Sequence, residues 1–394
     1  MIEITAKLIG GPVYLPGENV GCYITFTNPP LPAHIRSRSN RDTLESLAWA
    51  SAQIHCLCST NGKVPLPSKT PYLPEEKVVS NSDTSYAPCR GDRGRIVLST
   101  TPKILFCDLK LAPGESKSYF YSQGLPLEAL PSYTGQLVKY SYKITIGTQR
   151  VPLQSPGSVS IPPPVKLLRV PLRVLDVSGV PEDRGLCEDS EDLSPSNPFL
   201  ESTAKDHEQD PTIQLLQNIT ARRNPNFYNI TNSKGKVARF CLFKQAYKLG
   251  EDIIGTFDFS GATVPCVQFT VTLQSEEVIG EEYKADAKQM RAIVSFSNCH
   301  EVCLSMKQCL LNLPIPLHAT PTFSTRLVSL RWRLHFEFVT TQPDSVFRLP
   351  PDSSTWQGPG LLTIETMIWD LPIQIYPSLP TPEPQTNTQY SQLV

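Results

Sequence analysis

The stretch PLEALPSYTGQLVKYSYKITI, residues 126–146, recurs 190 positions later as PLHATPTFSTRLVSLRWRLHF, residues 316–336. Without a gap, Pro126 falls on Pro316, Leu127 on Leu317, Ala129 on Ala319, Pro131 on Pro321, Leu137 on Leu327 and Val138 on Val328. Tyr133, Tyr142 and Ile146 meet Phe323, Trp332 and Phe336. Solenoids repeat every ~20–50 residues, so one recurrence at this distance indicates a duplicated domain. Each copy is a proline-punctuated approach followed by a period-2 strand. In the second, Val328, Leu330, Trp332, Leu334, Phe336 and Phe338 point one way, and Ser329, Arg331, Arg333, His335 and Glu337 the other. In the first, Val138, Tyr140, Tyr142, Ile144 and Ile146 alternate with Lys139, Ser141, Lys143 and Thr145. One dry face and one wet face is what an antiparallel sheet covered on one side requires. Tyr140, Tyr142 and Trp332 are therefore expected to be scaffolding.

A chain of 394 residues has room for two such lobes. Its 38 prolines are about twice the usual share. Proline is excluded from helix interiors and central strands, so this load suits short strands joined by long loops. Lys plus Arg 36 against Asp plus Glu 37 leaves a formal charge of -1, which gives no general attraction to nucleic acid. The opening MIEITAKLIGG runs into alternating Ile2, Ile4 and Leu8 without a secretory pattern, and no apolar run reaches the ~18 residues of a membrane span. A soluble, intracellular protein is expected. The 11 cysteines are odd in number and scattered, with Cys22, Cys56, Cys107, Cys241 and Cys266 among strand-like apolar residues. In a reducing compartment these read as buried free thiols. The sequons at Asn218 and Asn229 then go unused.

Residues 1–28 read as a hairpin that turns at Gly10-Gly11-Pro12 and Tyr14-Leu15-Pro16-Gly17-Glu18 into Val20, Cys22, Ile24 and Phe26. Tyr247-Lys248-Leu249-Gly250-Glu251 keeps Tyr, Gly and Glu at the same spacing before Ile253 and Phe257. The shared glycine implies a positive φ. Residues 29–42, 59–92 and 276–289 read as polar insertions, with a strand over 47–58 between the first two. Residues 168–175 and 371–376 close the two lobes. Between the lobes, residues 176–225 hold eleven acidic side chains against four basic ones, the composition of a solvated linker, with a short amphipathic segment around 213–219. The expected organisation is a first sandwich over 1–175, an acidic flexible linker over 176–225, a second sandwich over 226–377 and a disordered tail over 378–394. The fold class is all-β, two tandem immunoglobulin-like β-sandwich lobes.

Three features of the first lobe carry a resemblance to the arrestin fold: the turn Pro113-Gly114-Glu115, the approach from Leu125-Pro126 to Pro131-Ser132, and the strand Val138-Lys139-Tyr140-Ser141-Tyr142. The second set of strand signals resembles the C-terminal lobe of that fold. More specifically, the chain resembles the arrestin-like Rgp subunit of the Ric-Rgp guanine-nucleotide exchange complex. The residues that carry this are AWASAQIHC (48–56), STTPKILFCDLKLAPGESKS (99–118), Gly250-Glu251-Asp252 and WRLHFEF (332–338). Both lobes are covered; the linker, insertions and tail are not. The resemblance implies an arrestin-like arrangement of the lobes and a non-catalytic scaffold subunit acting at the Golgi in retrograde membrane traffic. Its implied partners are a large β-propeller-containing Ric-type subunit and a Golgi Rab GTPase of the Rab-six type. Peripheral contact with the Golgi membrane follows from the same resemblance. No family residue with a chemical role transfers to a position here.

The sharpest candidate for chemistry is the set Cys299, His300, Cys303 and Cys309, soft ligands within eleven positions. Its C-H-x2-C-x5-C spacing lacks the paired C-x2-C knuckles of structural zinc sites, so core or loop thiols are the better account. Cys56 and Cys58 share one strand face as small buried side chains. His55 and His335 sit on strands opposite their apolar neighbours, where a hydrogen-bonded or exposed imidazole is expected rather than a catalytic base. No G-x-S-x-G, H-E-x-x-H, P-loop or G-x-G-x-x-G occurs. No catalytic, cofactor-binding or metal residue is therefore assigned, and no cofactor is expected.

Among short motifs, Arg90-Gly91-Asp92 matches an adhesion tripeptide but reads as a charged turn. Asn197-Pro198-Phe199 matches an endocytic docking motif in the linker. Arg36, Arg38 and Arg41, with Arg90, Arg93 and Arg95, form basic clusters that solvated loop charge explains. The alternative function is an arrestin-type cargo or ubiquitin-ligase adaptor in endosomal trafficking, although no Pro-Pro-x-Tyr motif occurs to dock a ligase. A zinc enzyme built around Cys299 to Cys309 is a third reading, which stoichiometric metal would mark.

Overall fold

The computed structural model describes residues 1–30, 44–62, 64, 92–151, 163–175, 211–221, 225–283, 291–342, 361–378 and 389–394. The first lobe contains β1 (Glu3–Leu8), β2 (Val13–Tyr14), β3 (Asn19–Thr27), β4 (Glu45–Thr60), β5 (Arg95–Ser99), β6 (Lys103–Leu111), β7 (Ser116–Gly124), β8 (Tyr133–Thr134), β9 (Val138–Arg150) and β10 (Lys166–Val174). Helix α1 (Pro211–Ala221) follows. The second lobe is β11 (Asn226–Asn232), β12 (Gly235–Leu242), β13 (Ala246–Lys248), β14 (Asp252–Asp258), β15 (Cys266–Ile279), β16 (Arg291–Val302), β17 (Gln308–Pro314), β18 (Phe323–Ser324), β19 (Val328–Thr341) and β20 (Ile364–Tyr376). A last strand, β21 (Gln389–Leu393), returns to the first lobe. The chain is all-β, as its alternation and proline load predict.

Each lobe is two sheets closed over one core. In the first, the order β21-β1-β3-β7 faces β2-β10-β9-β4-β5, with β6 added to β4 and β8 to β9. In the second, β11-β12-β14-β17 faces β13-β20-β19-β15-β16, with β18 added to β19. The strand orders correspond, β1 to β12, β3 to β14, β7 to β17, β9 to β19 and β10 to β20. The dry rows do what their period implies: Ile4, Ile24, Tyr142 and Ile144 meet in the first core, and Phe240, Phe257, Trp332 and Phe336 in the second. Phe257 and Phe269 lie 4.4 Å apart between ring centroids, which ties the facing sheets of the second lobe.

The duplicated stretch duplicates its hydrogen bonds. Leu125 N–H donates to the Glu18 carbonyl and Ile315 N–H to the Glu251 carbonyl, both at 2.9 Å. Ser132 N–H donates to Val174 and Thr322 N–H to Ile375, both at 2.8 Å, and the hydroxyls of Ser132 and Thr322 accept the return bonds. The turns before them match as well. Gly17 and Gly250 have φ of 87° and 84°, and Glu18 and Glu251 accept the N–H groups of Leu15 and Lys248 at 2.8 and 2.9 Å. The shared Tyr-Gly-Glu spacing is thus a shared turn.

Three expectations need correction. The tail over 378–394 is not wholly without structure, because residues 389–393 form β21, antiparallel to β1 from Glu3–Leu393 to Lys7–Gln389. A half-polar segment can do this because an edge strand needs only backbone partners and a few inward side chains; here Tyr390 packs against the core and Val394 is buried. The linker over 176–225 contains α1 at the segment read as amphipathic. Leu216 is buried against Tyr376, and Lys244 Nζ donates to the carbonyl of Thr220 at 3.1 Å near the helix C-terminus. Residues 276–279, read as the start of a polar insertion, complete β15. The insertions at 31–43 and 65–91 and residues 284–290 lie outside the described residues.

Candidate functional site

Sheet alternation pulls the sulfur-rich segment apart. Cys299 turns inward from β16 against the core, whereas His300 turns outward, its Nδ1 2.9 Å from the Thr270 hydroxyl. Cys303 is buried with Sγ on the Cys266 carbonyl at 3.5 Å, and Cys309 Sγ lies 3.5 Å from the Met306 sulfur. Burial pushes the thiols of Cys299 and Cys309 up, and contact with Cys266 together with burial does so for Cys303. Thiolates, the species that bind metal, are thereby disfavoured. Among the described residues no three His, Cys, Asp or Glu side chains gather as a metal set. Cys56 and Cys58 are buried on the inner face of β4.

The two strand histidines differ. His335 is hydrogen-bonded on the wet face of β19, with Nδ1 2.6 Å from Asp370 Oδ1; Arg333 donates to the same carboxylate at 3.0 Å. His55 takes the hydrogen-bonded of the two expected forms, and not the exposed one. It is wholly buried, with Nδ1 3.4 Å from the Thr145 hydroxyl and no partner for Nε2 among the described residues. Burial, reinforced by Lys143, lowers its pKa from 6.5 to about 4, Asp92 opposing. Asp92 in turn holds Lys143 at 3.1 Å and Arg169 at 3.5 Å, so the acid of the Arg-Gly-Asp tripeptide is tied into the sheet. Asn197-Pro198-Phe199, Arg36, Arg38, Arg41 and Arg90 lie outside the described residues, while Arg93 and Arg95 are exposed beside Asp92.

A buried polar constellation lies where the two copies of the repeat meet. Two strands carry one core into the other. On β15 the inward row runs Phe269, Val271 and Leu273 in the second core, then Ser275 and Glu277, then Ile279 in the first. On β19, Val328 and Leu330 pack into the first core, and Trp332, Leu334 and Phe336 into the second. Glu277 sits at this crossing, 3% exposed. Its Oε2 accepts the backbone N–H groups of Gln136 at 2.8 Å and Leu137 at 3.1 Å, and its Oε1 that of Val138 at 2.9 Å. Three donors converging on one carboxylate form a backbone anion nest, and bonds to a charged acceptor are the stronger kind. The Tyr133 hydroxyl lies against the same carboxylate; burial, reinforced by that charge, pushes its pKa up. Tyr133 and Phe323, equivalent in the two copies, meet edge to face at 4.8 Å. Beside them a narrow crevice is lined by Pro131, Ser132, Arg173, Thr320, Pro321 and Phe323.

Sequence reasoning missed Glu277. Within QSEE it interrupts an apolar alternation and reads as the onset of a loop, because the donors that satisfy it belong to the other lobe, 139 to 141 positions away. The signal was present only as a coincidence of period: Leu273, Ser275, Glu277 and Ile279 continue the inward register.

No helix among the described residues is long and apolar enough to cross a membrane. A family model described as Rgp1 matches residues 36–183 and 184–341, most of both lobes. RAB6A-GEF complex partner protein 2 of Homo sapiens is 44% identical over 407 residues, covering 98% of this chain and 99% of that protein. The protein of the same name from Bos taurus is 44% identical over 387 residues, covering 95% of this chain and 93% of its own length.

Proposed function

The chain belongs to the Rgp1 family, and from that premise we propose that it is a non-catalytic scaffold subunit of a Rab guanine-nucleotide exchange complex. The observation that carries this reading is the similarity along almost the whole length to relatives named as partners in a RAB6A exchange complex. The fold is suited to it. Two sandwiches joined by shared core residues present loops and outer sheet faces in a fixed geometry, and a scaffold works through such geometry rather than through a reactive side chain. In this reading the lobes take an arrestin-like arrangement. The chain holds a large β-propeller-containing Ric-type subunit and a Rab of the Rab-six type together, at the Golgi membrane and in retrograde traffic. The sandwiches span 1–175 and 226–377, and the insertions and the segment between the lobes supply specificity.

Release of a fluorescent guanine nucleotide from a Rab of the Rab-six type tests the reading. The purified chain alone is expected to leave the spontaneous rate unchanged, and its complex with the Ric-type subunit to accelerate release. Full activity of the isolated chain would overturn the scaffold assignment. An inactive complex that neither binds nor stimulates any Rab would overturn the exchange role itself.

A further inference from the structure

The repeat breaks its symmetry at the turn that leads into β9 and β19. In the second lobe this turn completes itself: the Thr325 hydroxyl accepts the Val328 N–H at 3.1 Å and lies 2.8 Å from the Val328 carbonyl. In the first lobe Gly135 stands at the equivalent position and has no side chain to offer, although Gly135 N–H still donates to the Val138 carbonyl at 2.9 Å, just as Thr325 N–H does to Val328. Glu277 of the other lobe supplies the missing acceptor for Val138 and takes the two preceding N–H groups as well. The neighbouring differences agree. A Cβ on Gly135 would collide with the Tyr133 hydroxyl and Glu277 Oε1, while Thr325 follows Phe323, which has no hydroxyl. The strand position equivalent to Glu277 is Cys58: Glu277 stands opposite Leu330, and Cys58 opposite Tyr140. Tyr, Gly and Glu in one junction thus replace Phe, Thr and Cys in the other.

We propose that Glu277 is a clasp that makes closure of the first lobe's turn and docking of the second lobe a single event. The first lobe's turn is complete only when the second is seated on it. In the seated arrangement, a chain without this carboxylate leaves the N–H groups of Leu137 and Val138 without their charged acceptor in a buried site, and that of Gln136 in a partly buried one. An unsatisfied buried donor is costly. The lobes therefore form one cooperative unit whose mutual orientation is set by a carboxylate. The proposal stands on the geometry of the junction and is independent of what the chain binds.

The test transplants the second lobe's solution into the first. Tyr133→Phe, Gly135→Thr and Glu277→Ala together give the first lobe a self-completed turn without the clasp. Glu277→Gln alone retains size and removes the charge. Urea unfolding and the distance between spin labels placed at exposed positions, one on each lobe, are measured in the full chain. The wild type is expected to unfold in one transition with a narrow distance distribution. The triple variant keeps the apolar contacts between the lobes, so it is expected to unfold at lower urea than the wild type and to show a broadened distance. Glu277→Gln is expected to shift in the same direction. If Glu277→Gln fails to fold, the triple variant, whose turn is self-sufficient, decides. A triple variant that keeps the narrow distance overturns the proposal whatever its midpoint, as does a wild type whose lobes already unfold separately.

Discussion

Trp332 shows how one residue of the repeat serves packing and hydrogen bonding together. It is 2% exposed, its ring lies 4.8 Å from that of Phe296, and its Nε1 donates to the Thr320 carbonyl at 3.0 Å. Trp332→Ala should cost about 3–5 kcal/mol, the range for emptying a core aromatic site. Trp332→Phe should cost less, about 1–3 kcal/mol, because it leaves the Thr320 carbonyl without its donor while filling most of the volume. Urea midpoints of the two variants check the order; equal losses would mean that the hydrogen bond, not the packing, dominates. His55 supplies a pH dependence. The folded chain keeps it neutral down to about pH 4, whereas the unfolded chain protonates it near 6.5. Between these values the unfolded state binds more protons, so stability rises with pH through the window, is fully present above 6.5, and is lost as pH falls toward 4. The contribution lost between pH 7 and pH 5 is about 2 kcal/mol. In His55→Gln, unfolding measured at the two pH values should lose that part of the slope; an unchanged slope would assign the acid sensitivity to other groups.

At the scale of elements, most strands were legible because period 2 survives wherever one face is dry. β19 follows the alternation from Val328 to Thr340 and β9 from Val138 to Ile144, beyond which Thr145, expected in the wet row, is buried as well. The Tyr-Gly-Glu turns recur with the same φ and the same glutamate contact. The failures share a physical cause. The end of β15 and the whole of β21 are satisfied by partners far away in the chain, and neither a buried glutamate nor a polar edge strand carries a local sign of that partner. Helix α1 was legible as an amphipathic segment, but its seat on Tyr376 was not. In the second lobe the outermost place in the corresponding sheet is taken by β11, joined to β12 by a short hairpin; in the first it is taken by β21 against β1. Removal of residues 389–394 should therefore bare the β1 edge. The Val394 carbonyl would no longer accept from Ile2 N–H at 3.1 Å and Arg150 Nη2 at 2.7 Å. Hydrogen exchange of the β1 amides should accelerate while the second lobe stays protected, and self-association through the open edge should rise with concentration. Unchanged exchange in β1 would show that β21 covers the edge without protecting it.

For the whole molecule, the duplication was visible in the sequence but the degree of fusion between the copies was not. Complementarity between the lobes is written in positions such as Ile279, Phe323, Leu327, Val328 and Leu330, which look like ordinary core residues of the second lobe and pack into the first. Periodicity says only that they are buried, not in which core. Cutting the chain between the lobes should expose them on one fragment and uncover their seats on the other. At about 1.5–3 kcal/mol per large apolar side chain, the lost burial is on the order of 10 kcal/mol, comparable to the whole stability of a domain. A fragment of residues 1–175 should therefore bind a hydrophobic dye and unfold at markedly lower urea than the intact chain. Part of that loss comes from β21, which the fragment also lacks, so the full chain truncated before residue 389 is the reference. Only the difference between fragment and truncated chain measures the lobe contact. Addition of residues 225–394 in trans should restore much of that difference, since this piece carries both Glu277 and the apolar residues that enter the first core. If the fragment instead matched the truncated chain in midpoint and dye binding, the shared core would be a contact of convenience, and the lobes would have to be regarded as independent domains on a tether.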